Sequence, residues 1–305
     1  MLQERDILSL ESTLKHELLH AFGFSSSLFA FFRDEEGRPR TARLEDGKPE
    51  INSELQVRQW SNNTIRTVQR PWLVRSGLKE KTTSLVVTPR VVEEVRRHFD
   101  CPTLEGAELE DQGGDGTALT HWEKRIFQNE AMTGTVHSSA PVYSRLTLAL
   151  LEDSGWYRPD YSRAQPLAWG AGAGCHFATK SCMELLQDRG TPFCSALMQS
   201  GEKVRQETIS DCKITLSVQT SCTADLRSVG NCNMVQYSQD LPEIYQNFNA
   251  VEGVEESEVA KLGSSVTLAD FCPYIQVAIL LAFLLIIASF SSIFPYSSNI
   301  IQTID

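Results

Sequence analysis

Residues 16–20 read His-Glu-Leu-Leu-His, and this short stretch decides how the whole sequence is interpreted. Apolar residues recur around it at helical spacing, which predicts a helix over residues 8–22. Residues four apart lie one above the other on a helix, so His16 and His20 share a face and can bind one Zn²⁺. Glu17 lies beside that metal without having to ligate it, where it can accept a proton from zinc-activated water.

The motif alone does not establish the chemistry, because two histidines at this spacing can also serve only for packing and hydrogen bonding. A catalytic zinc site needs a third protein ligand, with water at the open position. Ser26 occupies the position at which short-spaced metzincins carry their third histidine. A more distant residue must complete the site, and a glycine-rich loop that can deliver a side chain to the helix precedes His121.

Three further segments extend the pattern: residues 113–125 (GGDGTALTHWEKR), residues 129–134 (NEAMTG) and residues 145–157. Together with the zinc helix they resemble the leishmanolysin family of zinc peptidases, over residues 9 to about 272. The resemblance implies that His16, His20 and His121 bind one Zn²⁺ per chain. It also implies that Glu17 is the catalytic base and that Met132 forms a Met-turn under the metal. Filling the core is the simpler interpretation of this methionine.

The fold implied by the resemblance is α+β, of the zincin or metzincin type, in four segments. These are the zinc helix (residues 1–24), a central subdomain with the third ligand (25–178), a cysteine-rich C-terminal subdomain (179–272) and an apolar tail (273–305). Family members carry an N-terminal sheet whose edge strand binds the substrate peptide. Only fifteen residues precede His16, so we expect the chain to lack this sheet and to expose the apolar side of its helix.

Outside these motifs, hydrophobic spacing predicts helices over residues 89–100 and 141–156 and a short strand over residues 84–87. The polar residues 33–54 are predicted to form a surface loop or hairpin, and the acidic, glycine-rich residues 108–116 a loop. His98, at the end of the second helix, is interpreted as a structural residue.

Composition narrows the class of protein. The net charge of −11 disfavours nucleic acid as a partner, because a phosphate backbone needs a basic surface. None of the eight cysteines has Cys-x-x-Cys spacing, so we expect disulfides rather than a structural zinc site. Disulfides indicate an oxidising compartment, whereas the alternative is buried thiols in a cytosolic protein. The pairing of the cysteines cannot be read from their order.

The last segment is apolar and free of charged residues from Phe271 to Ile304. Residues 277–294 reach the lower limit of about 17–25 residues for a membrane span and also resemble the tail of a lipid-anchor signal. Membrane association through this tail is one interpretation, and a misread gene boundary is the other. We therefore expect a membrane-associated or extracellular location. A cytoplasmic location is the alternative, because no signal peptide is present and animal family members also occur there.

The function predicted from these features is that of a zinc metalloendopeptidase acting on protein or peptide substrates. The resemblance also implies a part in cell adhesion or migration. Two alternatives stay open. A catalytically impaired, truncated isoform could act as an adhesion or interaction module, or the sequence could be the unfolded product of a faulty gene model.

Overall fold

A computed structural model defines the architecture over most of the chain. It describes residues 4–114, 116–135, 141–187, 192–194, 220–222, 229–251 and 253–277. The apolar tail therefore lies outside the described residues beyond residue 277, as does His137. No helix within the described ranges is both long and apolar enough to cross a membrane.

The zinc motif lies on the long helix α1 (Glu4–Phe22), as predicted, although the helix begins four residues earlier than expected. It ends at Gly23, whose φ of 153° is a value that residues with a Cβ rarely adopt. The expected exposure of the apolar side is also observed. Four large side chains one turn apart are between 43% and 63% exposed: Leu10, Leu14, Leu18 and Phe22.

An antiparallel sheet follows, built from β3 (Ile65–Val74), β4 (Gly77–Val86) and β5 (Ala107–Glu108) in that order. The predicted strand over residues 84–87 is only the end of β4, and β3 was missed altogether. Pro71 lies within β3 and cannot donate a hydrogen bond to a neighbouring strand. It is tolerated because β3 is the edge strand of this sheet. A smaller hairpin, β1 (Ile51–Asn52) with β2 (Val57–Arg58), precedes the sheet.

Two helices pack against each other behind the sheet: α2 (Pro89–Phe99), close to its predicted bounds, and α4 (Arg145–Asp153). The second was expected to start at residue 141 but starts four residues later, because the Ser144 hydroxyl caps it at the Leu146 amide. The residues before Ser144 are extended instead of helical. Val142 exchanges backbone hydrogen bonds with Asn129 and Ala131 at 2.8 Å, which holds this stretch extended.

Disulfides cross-link the chain, as expected from the cysteine pattern, and their pairing joins residues far apart in sequence. Cys101, which stands alone in the sequence, pairs with Cys175. Two further bonds among the described residues are Cys182–Cys272 and Cys194–Cys232. Each bond stays within one of the two predicted subdomains, whose boundaries remain a prediction.

The remaining elements are short. The helices are α3 (Lys124–Phe127), α5 (Gly174–Thr179) and α6 (Cys182–Leu185). Strands β6 (Thr220–Cys222), β7 (Val229–Cys232) and β10 (Ile275–Val277) form one antiparallel sheet, and β8 (Met234–Gln236) pairs with β9 (Leu262–Ser264). The core is continuous across the segments, because one buried cluster runs from Phe24 through Trp122 and Met132 to Ile275. The described chain is therefore a mixed helix and sheet structure that presents α1 at its surface.

Candidate metal centre

Three imidazoles meet at one point, two from α1 and one from a loop about one hundred residues later. The Nε2 atoms of His16, His20 and His121 are each 3.1 Å from the other two. Zn–N bonds of 2.0–2.1 Å in tetrahedral geometry would place such nitrogens about 3.3 Å apart. The triad therefore has the size that one zinc ion requires, and the structure brings all three predicted ligands together.

The opposite nitrogen of each ring is held by a backbone carbonyl. The Nδ1 of His16 donates to Ala131 O at 2.7 Å, and the Nδ1 of His20 donates to Phe24 O at 2.7 Å. The Nδ1 of His121 donates to Thr117 O at 3.0 Å. A carbonyl oxygen can only accept, so each ring carries its proton on Nδ1. Three Nε2 lone pairs then face one another with no hydrogen between them, an arrangement that calls for a cation.

Burial favours the neutral form of two of these rings, His20 and His121. It lowers the pKa of His121 to about 4, against a smaller opposing effect of the Thr117 hydrogen bond. Burial also lowers the pKa of His20, and the Phe24 hydrogen bond and the Glu17 charge oppose that shift less strongly. Because a metal binds the neutral imidazole, the folded chain presents at least these two histidines in the form that ligates.

The loop that carries His121 is closed at its base. Glu110 N–H donates to His121 O at 2.9 Å, and Leu119 N–H donates to Glu110 O at 2.8 Å. The next residue, Trp122, is fully buried and packs edge-to-face on Phe24, with ring centroids 4.7 Å apart. Phe24 lies two residues after the end of α1. The same aromatic pair therefore fixes the zinc helix and the distant loop relative to each other.

Residues 129–134, the predicted Met-turn, lie against both the helix and the loop. Trp122 N–H donates to Met132 O at 2.9 Å, and the Met132 side chain is fully buried. The buried carboxylate of Glu130 holds this turn by accepting bonds from Met132 N, Ser144 N and Oγ, and Thr147 Oγ1 at 2.6–3.2 Å. These bonds position the Ala131 carbonyl, which accepts the hydrogen bond from His16 Nδ1–H. The sequence alone assigned Glu130 no role, because its four donors come from three residues that form no local pattern.

The role of Glu17 as catalytic base stays a prediction, and two other histidines lie away from the triad. Glu17 is exposed on α1 between the two helical histidines. His98 Nε2 hydrogen-bonds the Trp169 carbonyl at 2.9 Å, in keeping with a structural role. His176 is exposed on α5.

Gly134 is a residue of the centre that the sequence marked only as part of a motif. A Cβ at this position would lie 2.8 Å from Thr117 Cγ2, 3.0 Å from Leu268 Cδ1 and 3.6 Å from the His121 ring. Contacts below 3.0 Å force a neighbour to move. Here that neighbour is Thr117, whose carbonyl orients His121.

We therefore expect Gly134→Ala to weaken zinc binding about 10-fold, by disturbing an outer-shell partner of His121. Competition with a chromogenic zinc chelator measures this affinity. The double variant Gly134→Ala with Thr117→Ser lacks the clashing Cγ2 and should recover most of the affinity. Failure of this rescue would show that Thr117 does not transmit the effect.

A known family matches the part of the chain that carries these three histidines. The family model described as leishmanolysin (Peptidase_M8) matches residues 5–278. The chain is 56% identical over 280 residues to a leishmanolysin-like peptidase of Drosophila pseudoobscura pseudoobscura, covering 89% of this chain and 38% of that relative. It is 47% identical to the leishmanolysin-like peptidase of Caenorhabditis elegans, over 88% of this chain and 40% of that relative. Leishmanolysin of Leishmania tropica is 27% identical over 85% of this chain and 30% of that protein. The chain thus spans about two-fifths of the length of its animal relatives.

Proposed function

Because this chain belongs to the leishmanolysin family of zinc metallopeptidases, we propose that it binds one Zn²⁺ through His16, His20 and His121 and hydrolyses peptide bonds in protein substrates. The observation that supports this most directly is the triad of Nε2 atoms 3.1 Å apart, each on a ring whose Nδ1–H donates a hydrogen bond to a backbone carbonyl. A metzincin-like fold, with Met132 in the Met-turn, is part of the same proposal.

The residues of the site have distinct roles in the proposed reaction. Zinc at the triad supplies Lewis acidity toward water and toward the substrate carbonyl. Glu17 accepts a proton from the attacking water and passes it to the leaving amine, so no covalent intermediate with the enzyme is needed. The exposure of Glu17 leaves room for a substrate on that side of α1. The three Nδ1–H donors fix the ring orientations, and Glu130 holds the turn that receives one of them.

Zinc analysis of the purified full chain tests this proposal. After dialysis against metal-free buffer, mass spectrometry should find about one zinc per chain, and His121→Ala should weaken zinc binding by more than about 100-fold. The exposed His176→Ala is the matched control and should keep its zinc. A wild-type chain without zinc, or a His121→Ala variant that retains it, would overturn the proposal.

A casein-type cleavage assay on the same samples separates the peptidase from the alternative candidate. The exposed apolar side of α1 favours an impaired module that binds partners, since it offers an uncovered surface of Leu10, Leu14, Leu18 and Phe22. Cleavage that disappears with the zinc supports the peptidase. Zinc binding without cleavage, together with retained cell attachment, supports the adhesion or interaction module.

The three disulfides support a further proposal, that the protein works in an oxidising compartment outside the cytosol. Chain isolated from cells with its thiols blocked should run faster on a non-reducing gel than after reduction. Identical mobility would point to the cytoplasm. Membrane association through residues 277–305 stays a prediction, which fractionation of a chain ending at residue 276 can test.

A further inference from the structure

A second cluster of potential ligands lies under the loop that carries His121. Carboxylate oxygens of Glu110, Asp111 and Glu123 all lie within 4.8 Å of one another. Glu110 and Glu123 are fully buried, whereas the Asp111 side chain is 25% exposed. The cluster is therefore enclosed by protein but reachable from solvent past Asp111.

The hydrogen bonds of these carboxylates are incomplete. Glu110 accepts from Gln112 N at 2.9 Å and from Lys124 N at 3.3 Å. Glu123 Oε1 accepts from Arg125 N at 3.0 Å, but its Oε2 is buried and has no hydrogen-bond partner among the described residues. A buried carboxylate oxygen without a donor is costly, because nothing replaces the water it has lost. This oxygen is the independent sign that the cluster accommodates a ligand.

Acidic side chains outnumber basic ones around the cluster. Four buried carboxyl groups and the exposed Asp111 lie there with three basic groups: Glu108, Glu110, Asp111, Glu123 and Asp270 with Lys81, Lys124 and Arg125. Asp270 takes up much of the cationic charge, since both Lys81 and Arg125 hydrogen-bond to it at 2.7–2.9 Å.

We propose that Glu110, Asp111 and Glu123 bind a hard divalent cation, Ca²⁺, at a site separate from the histidine triad. Carboxylate oxygens are the ligands that Ca²⁺ prefers, at 2.3–2.6 Å, so two ligands of one ion can be as far apart as about 5 Å. Zinc is disfavoured because the cluster offers no nitrogen or sulfur. Lys81 Nζ lies 3.1 Å from Asp111 and competes with the ion, but Asp270 can hold this ammonium alone with its two shorter bonds.

At this position a bound ion would stabilise the loop that carries His121. Glu110 and Asp111 stand where the loop begins, and Glu123 follows its end two residues after His121. The Glu110 backbone already bonds to His121 and Leu119 across the base of the loop. Ca²⁺ bridging the three carboxylates would tie these two ends more firmly, and with them the residue that reaches α1.

Calcium titration of the metal-free chain tests the site without any dependence on zinc. Isothermal titration with CaCl₂ should show one binding event, in the range of 10⁻⁴–10⁻³ M or tighter. At a calcium concentration of about 100 times Kd, the melting temperature should rise by about 5 °C. Glu123→Gln keeps an oxygen that can accept the Arg125 N–H hydrogen bond but replaces Oε2 with an NH₂ group, which cannot ligate Ca²⁺. This variant should lose the calcium effect and, in metal-free buffer, melt no lower than the parent.

Two further variants complete the design. Asp111→Asn, at the solvent side of the cluster, should weaken calcium binding at least 10-fold, whereas the exposed Glu36→Gln removes a charge elsewhere and should change nothing. The proposal is overturned if the parent chain shows neither binding heat nor a melting shift at 5 mM CaCl₂. It is equally overturned if Glu123→Gln shows the full calcium shift. Either result would leave the zinc proposal untouched, because that proposal is measured at the histidines.

Discussion

Replacing Glu17 with glutamine is expected to reduce kcat by about 10²–10⁴-fold while the chain keeps one zinc ion. Glutamine has the same shape and a good helix propensity, so α1 should form as before. Glu17 makes none of the Nδ1 hydrogen bonds that orient the three histidines, so the zinc affinity should not fall. What disappears is the carboxylate that takes a proton from water. Peptide cleavage under saturating substrate and metal analysis of the same sample measure the two quantities together.

Glu11→Gln is the matched control for this experiment. Glu11 is an exposed glutamate on the same helix, and its ion pair with Lys15 at 2.5 Å is exposed on both sides. Exposed pairs of this kind contribute less than about 1 kcal/mol, so zinc content and kcat should both stay at the parent values. Full activity in Glu17→Gln would place the base elsewhere. A parent chain that binds zinc but cleaves nothing would instead favour the interaction module.

The half of the site carried by α1 could be predicted because its signal is local. The repeat of apolar residues predicts the helix, and a spacing of four puts His16 and His20 on one face. His121 could be selected only through the resemblance of its segment to a known family, since no local rule connects residue 121 to residue 20. The three backbone carbonyls that accept hydrogen bonds from the histidine Nδ1–H groups could not be predicted, because any residue type can supply a backbone oxygen.

The parts of the fold that were missed depend on contacts between distant residues. Strand β3 contains Pro71 and shows no strict alternation of apolar and polar side chains, which argues against a strand unless one knows that it forms the sheet edge. The disulfides join cysteines 74, 90 and 38 residues apart, and nothing in their order selects these pairs. The carboxylate cluster likewise combines residues 108–125 with Lys81 and Asp270, which only the folded chain brings together.

Asp270→Asn should lower the free energy of unfolding by about 3–5 kcal/mol, because removing one partner of a buried ion pair leaves the other charge buried without compensation. Asp270 is 1% exposed and hydrogen-bonds both Lys81 and Arg125, whose charges lie 4.7 Å and 4.9 Å from the Trp72 ring centroid. Burial acts to raise the pKa of Asp270, but these two cations outweigh burial and lower it. Asparagine has the same shape and tolerates the positive φ of 53° at this position, so the change tests charge rather than backbone strain.

The matched control is Glu105→Gln, because Arg70 and Glu105 form two hydrogen bonds at 2.7 and 2.9 Å, as short as those of Asp270, at a partly exposed site. Water can solvate Arg70 once its partner is neutral, so this variant should cost less than about 1 kcal/mol. Urea unfolding of both variants in metal-free buffer, with the disulfides intact, gives the comparison. Nearby Asp111 and Glu108 keep some negative charge close to Lys81 and Arg125, which favours the lower end of the range for Asp270→Asn. Equal losses in the two variants would mean that burial does not set the cost, and that water reaches Lys81 and Arg125 in the native chain.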